Sequence, residues 1–198
     1  MRFIVGIDEA GRGPLAGPVT VAALVQPVGS KFNKSNFFDG IRDSKKLSAK
    51  KRDVWFSKIK KNHNFRYSVS CVSNAVIDKK GITYATRLAI KRCLKKLFVT
   101  NKLFNYSTIK LLLDGSLHAP SEYQQETIIK GDEKISVISA ASIVAKVTRD
   151  RKMMRLAKKF PLYNFDQHKG YGTKLHRELV LKNGLSEIHR VSFCTKLI

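Results

Sequence analysis

The sequence predicts an α/β fold, with a mixed β-sheet that has helices on both of its sides. Short apolar runs rich in β-branched residues alternate with longer segments whose apolar residues recur at helical spacing. The chain has 198 residues, 43% of them hydrophobic, which is enough for one sizeable core. We therefore expect a main domain at residues 1–160 and a small helical C-terminal appendage at residues 161–198, packed together as one unit.

Five segments are predicted to be β-strands because they are apolar or alternate between apolar and polar residues. They lie at residues 3–8, 19–25, 66–73, 109–114 and 126–130. The first two should form a hairpin-like pair, and Pro27 and Gly29 end the second. The fourth is apolar almost throughout, which is typical of a central strand buried on both faces.

Four segments have the periodicity of helices. They lie at residues 49–61, 82–98, 136–159 and 174–182. Ser48 is placed to cap the first helix, Pro161 stops the third, and Gly184 ends the last. The third is the longest and follows Asp132 closely.

The charge of the chain predicts a polyanionic partner. There are 38 Lys and Arg against 15 Asp and Glu, a formal net charge of +23, and the basic residues are spread along the whole chain. Nucleic acid is the first expectation and a membrane surface the weaker one. No apolar stretch reaches the ~20 residues that a bilayer span needs, and Met1-Arg2 leads directly into the first strand, so we expect a cytoplasmic protein. The cysteines, Cys71, Cys93 and Cys194, show neither zinc nor disulfide spacing.

The few acidic residues include four that stand where predicted elements end. Asp8 and Glu9 end the first strand, Asp114 ends the fourth, and Asp132 precedes the long helix. An acidic pair after a strand can simply open a solvated turn, but the basic background favours a role as ligands. If the strands are neighbours, these acids converge at one sheet edge, where divalent Mg²⁺ or Mn²⁺ would compensate their charge. Two such ions about 4 Å apart could support phosphodiester hydrolysis.

Four longer motifs resemble the ribonuclease HII family and occur in that family's order. They are GIDEAGRGP at residues 6–14, DSKKL at 43–47, SAASIVAKVTRD at 139–150 and HKGYGT at 168–173. The resemblance implies an RNase H-like fold and an endonuclease that cleaves the RNA strand of RNA–DNA hybrids. It also implies incision at single ribonucleotides embedded in duplex DNA, with 5′-phosphate and 3′-hydroxyl ends. We expect the protein to act as a monomer.

The resemblance also implies roles for individual residues. The family's metal-binding acids correspond to Asp8, Glu9, Asp114 and Asp132. A glycine-arginine-glycine loop contacts the ribonucleotide's 2′-hydroxyl through its backbone, and a tyrosine stacks at the RNA–DNA junction. These substrate-binding positions correspond here to Gly11, Arg12, Gly13 and Tyr171. Without its neighbours in the motif, Tyr171 would be read as an ordinary half-buried aromatic residue.

Further substrate contacts are predicted less directly. Phosphate contacts are expected for Lys45, Lys46, Lys146 and Arg149, although a lysine in so basic a chain is by default part of a solvated face. His168 is interpreted as a residue of the substrate-binding loop, and the other histidines as structural or exposed. The chain departs from the family pattern at Val76, Gly81 and Asn164, which bears on secondary substrate contacts.

Two other functions are compatible with parts of this pattern. A strand followed by Gly11-Arg12-Gly13 is faintly similar to a dinucleotide-binding fingerprint, but the next glycine is Gly17, and Asp8-Glu9 would repel a pyrophosphate. A non-catalytic nucleic-acid-binding protein of ribosomal type would also explain the charge. Metal-dependent strand cleavage distinguishes the enzyme from both.

Overall fold

The structure is a computed structural model that describes residues 3–28, 36–38, 40–41, 47–100 and 108–197. In these ranges five strands form one sheet in the order β3-β2-β1-β4-β5. Their bounds are β1 Phe3–Ala10, β2 Val19–Pro27, β3 Arg66–Val72, β4 Ile109–Asp114 and β5 Gln125–Ile128. The β1–β2 and β2–β3 pairs are antiparallel, whereas β1–β4 and β4–β5 are parallel. The predicted mixed sheet is therefore confirmed.

Helices cover both sides of this sheet. In the described ranges they are α1 Ala49–Lys61, α2 Asn74–Lys80, α3 Ile82–Thr100, α4 Gly131–Lys134, α5 Ser136–Lys159, α6 Phe165–His168, α7 Lys174–Asn183 and α8 Val191–Cys194. The four predicted helices correspond to α1, α3, α5 and α7. Ser48 caps α1 as expected, accepting a hydrogen bond from the Lys51 amide at 3.3 Å. None of these helices is both long and apolar enough to cross a bilayer.

The strand β1 lies at the centre of the sheet and contributes to two cores. Its residues Val5 and Ile7 pack in the core that contains α3, whereas Ala10 packs in the core that contains α5. Between these helices Gly6 allows α5 to approach the strand closely, because a Cβ there would lie 2.4 Å from the Val137 carbonyl oxygen. The close approach brings the middle of α5 beside the C-terminal end of β1.

The connection between β1 and β2 is residues 11–18, which we call the glycine loop. It is held by two segments that lie far away in the sequence. The Leu15 amide donates to the Gly170 carbonyl at 2.8 Å, and the Gly17 amide donates to the Ile188 carbonyl at 2.8 Å. Ala16 also forms an antiparallel bridge with His189. The C-terminal segment, residues 161–197, therefore packs directly against the loop that follows the first acids.

The remaining differences from the sequence expectations are local. The last predicted strand begins at Gln125 and ends at Ile128, because Lys130 adopts a left-handed conformation with φ of 54° and turns the chain into α4. Gly81, between α2 and α3, has φ of 82°, a value that favours glycine. Asn164 has φ of 48°, which asparagine tolerates better than most residues, so this departure from a family glycine keeps the turn. Val76 packs against the α3 core, and nothing in the structure explains its difference from the family.

Candidate metal centre and nucleic-acid pocket

The sheet register places two acids side by side. Ile7 on β1 is the parallel partner of Leu113 on β4, so Asp8 and Asp114 leave adjacent strands at the same edge. Asp132, in the first turn of α4, joins them, and one carboxylate oxygen from each of the three residues lies within 4.8 Å of the others. Glu9 lines the same pocket. The structure therefore brings the four predicted acids together.

A hydrogen bond sets the position of the third acid. Asp114 Oδ1 accepts from the Gly131 amide at 2.7 Å, and this bond holds the start of α4 against the end of β4. A Cβ at Gly131 would lie 2.7 Å from Ile138 Cδ1, so any larger residue there would force the Ile138 side chain to move. Ser139 on α5 donates its hydroxyl to the Asp132 carbonyl. Asp132 is consequently fixed by both of its neighbouring elements.

The electrostatics of the site disfavour the bare carboxylates of Asp8 and Glu9. Burial raises the pKa of Asp8 well above its ordinary value, and the charges of Glu9 and Asp114 raise it further. Burial also raises the pKa of Glu9, against an opposing effect from Arg12, whose Nε lies 3.9 Å from Glu9 Oε1. Asp8 Oδ2 and Glu9 Oε2 are buried without a hydrogen-bond partner among the described residues. Such oxygens fit a hard divalent cation.

Asp8, Glu9 and Asp114 form the floor of a cavity of about 470 Å³, and Asp132 is buried beside them. Its walls contain the predicted glycine-arginine-glycine segment, a lysine of α5 and the predicted tyrosine. Its lining residues are Asp8, Glu9, Ala10, Gly11, Arg12, Gly13, Arg52, Asp114, Ser142, Lys146 and Tyr171. The cavity is thus negative at its floor and positive at its rim, which suits a metal ion below a phosphate backbone.

Two polar lining residues were not predicted from the sequence. Ser142 on α5 is buried and hydrogen-bonds the Asp8 carboxylate, and Arg52 on α1 reaches the rim of the cavity. Ser142 lies inside the motif at residues 139–150, so the resemblance of that motif to the family could have identified it as a site residue. Arg52 is one of many basic residues of α1, and only the packing of α1 against α5 brings it to the cavity.

Tyr171 projects from the turn that precedes α7. Its side chain is partly exposed, and the ring lies over two basic side chains of α5. Lys146 Nζ is 5.3 Å from the ring centroid and Arg149 Cζ is 5.5 Å from it. Lys146 also donates to Asp150 Oδ1 at 2.9 Å. The structure places both Tyr171 and Lys146 at the cavity, and their contacts with a substrate stay predictions.

The predicted phosphate contact of Arg149 needs correction. The side chain is fully buried, and its guanidinium donates to three carbonyl oxygens, those of Pro18, Ala16 and Lys169, at 3.0 to 3.2 Å. Gly11 lies against it, since a Cβ there would come within 2.0 Å of Arg149 Nε. A guanidinium enclosed in this way cannot reach a phosphate, and Arg149 instead fixes the glycine loop.

The predicted substrate contact of His168 also needs correction. The ring is buried, its Nε2–H donates to the Tyr163 carbonyl at 2.7 Å, and its Nδ1 accepts from the Gly170 amide at 3.2 Å. It stacks on His176 with ring centroids 4.1 Å apart. His168 therefore supports the turn that carries Tyr171. Lys45 and Lys46 lie outside the described residues, and their phosphate contacts stay predictions.

Comparisons of sequence agree with this geometry. The family model for ribonuclease HII matches residues 5–196. A ribonuclease HII of Caldicellulosiruptor bescii is 45% identical over 197 residues, which are 100% of this chain and 89% of that protein. A ribonuclease HII of Endomicrobium trichonymphae is 45% identical over 96% of this chain and 84% of that protein.

Comparisons of structure agree as well. The ribonuclease HII of Archaeoglobus fulgidus, solved in complex with PCNA, superposes with a TM-score of 0.74 at 27% identity, covering 98% of this chain and 96% of that one. The ribonuclease H2 of Pyrococcus horikoshii has a TM-score of 0.72 at 23% identity and the same coverage, which supports the fold alone. This chain belongs to the ribonuclease HII family and is a hydrolytic nuclease with an RNase H-like fold.

Proposed function

We propose that this chain hydrolyses the RNA strand of RNA–DNA hybrids and incises duplex DNA at single embedded ribonucleotides. The observation that carries the proposal is the cluster of carboxylate oxygens of Asp8, Asp114 and Asp132 within 4.8 Å, two of which, Asp8 and Asp114, line a cavity with a basic rim. Each cut leaves a 5′-phosphate and a 3′-hydroxyl. Family membership supports the reaction class, and the cavity supports a backbone as its occupant.

The same four acids, Asp8, Glu9, Asp114 and Asp132, would hold the divalent ions, Mg²⁺ or Mn²⁺. A bound pair of ions supplies an activated water and stabilises the leaving oxygen of an in-line displacement. Asp8 is central because β1 lies between the antiparallel β2 and the parallel β4, and Ser142 on α5 hydrogen-bonds its carboxylate. A ribonuclease HIII with a similar fold, at a TM-score of 0.73 and 18% identity, has been solved with Mn²⁺.

Substrate recognition is assigned to the rim of the cavity. The backbone of Gly11, Arg12 and Gly13 contacts the 2′-hydroxyl, the group by which RNA differs from DNA at a given sugar. Tyr171 stacks at the junction between RNA and DNA, and Lys146 contacts a phosphate. Arg52 joins this set because it lines the same cavity. We further propose a monomer that acts on nucleic acid in the cytoplasm, with residues 161–198 as an appendage to a catalytic domain at 1–160.

A cleavage assay with three matched duplexes tests this function. One carries a single ribonucleotide in DNA, one is an RNA–DNA hybrid, and one is entirely DNA. With Mg²⁺ or Mn²⁺ the first two should be cut and the third left intact, and a chelator should stop both reactions. Product ends are checked by ligation, which needs a 5′-phosphate beside a 3′-hydroxyl. Cleavage that persists in chelator, or that treats all three duplexes alike, would refute the proposal.

A matched pair of variants connects the activity to the cavity. Asp8→Asn removes a charge from the cluster, whereas Glu133→Gln removes one from an exposed residue beside Asp132. Only the first should abolish cleavage. Equal activity of the two variants would show that the reaction occurs elsewhere on the protein.

A further inference from the structure

Arg190 lies in the C-terminal segment yet makes most of its contacts with the glycine loop. Its side chain is fully buried. Nη2 donates to the Gly11 carbonyl at 2.6 Å, Nη1 to the Arg12 carbonyl at 2.7 Å, and Nε to the Gly17 carbonyl at 3.0 Å. One guanidinium therefore binds carbonyl groups from both ends of the loop.

These bonds determine where two backbone N–H groups point. A trans peptide is planar, so the carbonyl of one residue and the N–H of the next face in opposite directions. Because the Gly11 and Arg12 carbonyls face Arg190, the N–H groups of Arg12 and Gly13 face away from it, towards the cavity that both residues line. No described residue accepts a hydrogen bond from either N–H. The space beside Gly13 is open, with no atom within 4 Å of where a Cβ would be.

Arg190 is itself held from both sides. Its own amide donates to the Leu15 carbonyl at 2.7 Å. Before it, Asn74 on α2 donates its side-chain amide to the Glu187 and His189 carbonyls at 2.9 and 3.0 Å. After it, Asp78 on α2 accepts from the Val191 and Ser192 amides, both at 3.0 Å. The helix α2 thus fixes the backbone that carries the arginine.

We infer that Arg190 is a positioning residue for ribonucleotide recognition, because it orients the Arg12 and Gly13 amides towards the 2′-hydroxyl of the substrate. The inference rests on the proposed function. A guanidinium is suited to the task, since its five N–H donors stand in a fixed planar fork that reaches several carbonyls at once. A lysine ammonium would retain the charge but could not hold three carbonyls in this geometry.

Two variants of Arg190 and one control test the inference. Arg190→Lys keeps the charge, and Arg190→Met keeps much of the apolar volume without any donor. Leu94→Ala makes a cavity in the core on the α3 side and controls for a general loss of stability. The first readout, hydrogen exchange of the amides in residues 11–18, needs no substrate. The second is KM and kcat on the single-ribonucleotide duplex, together with the affinity ratio of that duplex to its all-DNA counterpart.

For both Arg190 variants we expect faster exchange in residues 11–18. The affinity ratio should fall by about tenfold or more, and KM should rise more than kcat falls. Leu94→Ala should leave the exchange and the ratio unchanged. Unaltered exchange in Arg190→Met, or faster exchange with an intact ratio, would overturn the positioning role. A wild-type protein that does not distinguish the two duplexes would instead overturn the proposed function, and the role of Arg190 with it.

Discussion

At the scale of single residues, the carboxylate of Asp8 shows how function opposes stability. It is 2% exposed, and its Oδ1 accepts the Glu9 amide at 2.7 Å while Oδ2 is buried without a hydrogen-bond partner among the described residues. Burial and two neighbouring acids raise its pKa. Keeping this group charged in the fold costs free energy that a bound cation would offset.

Asp8→Asn should therefore abolish cleavage and stabilise the metal-free protein. A carboxyl with a raised pKa in the folded state binds its proton more tightly there, so its ionisation lowers the free energy of unfolding as pH rises past its ordinary pKa. At neutral pH the uncharged asparagine side chain of the variant avoids this loss of stability. Melting temperature should rise by about 2–4 °C for each kcal/mol relieved. Thermal melts with and without Mn²⁺ check this: the ion should stabilise the wild type and leave the variant unchanged, and the reverse pattern would contradict the metal assignment.

Tyr171 is the residue whose replacement should affect selectivity most directly. Stacking on a base contributes about 1–3 kcal/mol, so Tyr171→Ala should weaken binding at the RNA–DNA junction by about tenfold or more, whereas Tyr171→Phe should keep most of it. Binding of Mn²⁺ should not change. Relative rates on the single-ribonucleotide duplex and a long hybrid provide the measurement. Equal losses on both substrates would mean that Tyr171 only supports packing against Lys146.

At the scale of elements, sequence patterns predicted best where the signal is local. The helices α1 and α5 both occur at the predicted residues, α1 after the Ser48 cap and α5 before the stop signal Pro161. The helix α2 has only seven residues, and Ser73 forms no side-chain capping hydrogen bond with it. The local sequence therefore gave no signal that predicted this helix. The four-residue α4, α6 and α8 depend on contacts from distant residues, such as Asp114 at α4 and Asp78 at α8.

The residues of the candidate site likewise fall into those that the sequence predicted and those that it misassigned or missed. The acids were predictable because strand ends converge at one edge of an α/β sheet, a rule that needs no side-chain detail. Arg149 and His168 were misassigned because their residue types suit phosphate and substrate contacts, while only the folded chain shows that carbonyl groups occupy their donors. Arg190 had no signal at all, since a single arginine near the C-terminal end of a basic chain is unremarkable.

At the scale of elements there is also a hydrogen-bond network of two buried histidines, His176 on α7 and His189 after it, which favours neutral imidazole rings. His176 Nδ1–H donates to the Tyr171 carbonyl at 2.9 Å, so its Nε2 accepts from His189 Nε2–H at 3.0 Å. His189 Nδ1 in turn accepts from the Ser186 amide at 2.8 Å. Burial is the main cause that lowers the pKa of both His176 and His189, to about 4 each. A proton added to His176 Nε2 would face the His189 Nε2–H and find no acceptor in this network.

Acid should therefore weaken the C-terminal segment. A histidine with a lowered pKa in the folded state stabilises the fold above its ordinary pKa, and this stability is lost as pH falls from about 6.5 towards 4. The loss should be on the order of a few kcal/mol. His176→Asn keeps a donor for the Tyr171 carbonyl and has no ring to protonate. In urea unfolding at pH 7 and pH 5, the wild type should lose more stability than this variant, whereas His63→Gln, at an exposed site, should behave as the wild type.

At the scale of the whole molecule, the basic residues greatly outnumber the acidic ones and give the chain a formal net charge of +23. Acids that do form ion pairs hold particular surface contacts, as in Arg151 with Asp53 on α1 and Lys110 with Glu126 across β4 and β5. The excess of lysine and arginine should attract any duplex by counterion release. Under the proposed function, recognition of a ribonucleotide should instead depend on the few groups at the cavity.

Binding measured at increasing salt concentration should separate non-specific attraction to a duplex from recognition of a ribonucleotide. Affinity for an all-DNA duplex should fall with a log–log slope of about 0.9 for each phosphate contacted, while the preference for a ribonucleotide should change little. Lys146→Gln should reduce the slope by about 1 and leave the preference intact. Fluorescence anisotropy across a salt series measures both quantities. A preference that disappears in step with affinity would argue against local reading of the 2′-hydroxyl.

The hydrogen bonds between Arg190 and the glycine loop connect a residue that is synthesised late with residues that are synthesised early. Strand β1 and its acids leave the ribosome early, and Arg190 is among the last residues to do so. The Gly11 and Arg12 carbonyls have no guanidinium to bind until the segment after α7 has also emerged. If Arg190 has the positioning role inferred above, the chain can order the glycine loop for ribonucleotide recognition only after nearly all of its residues have been synthesised.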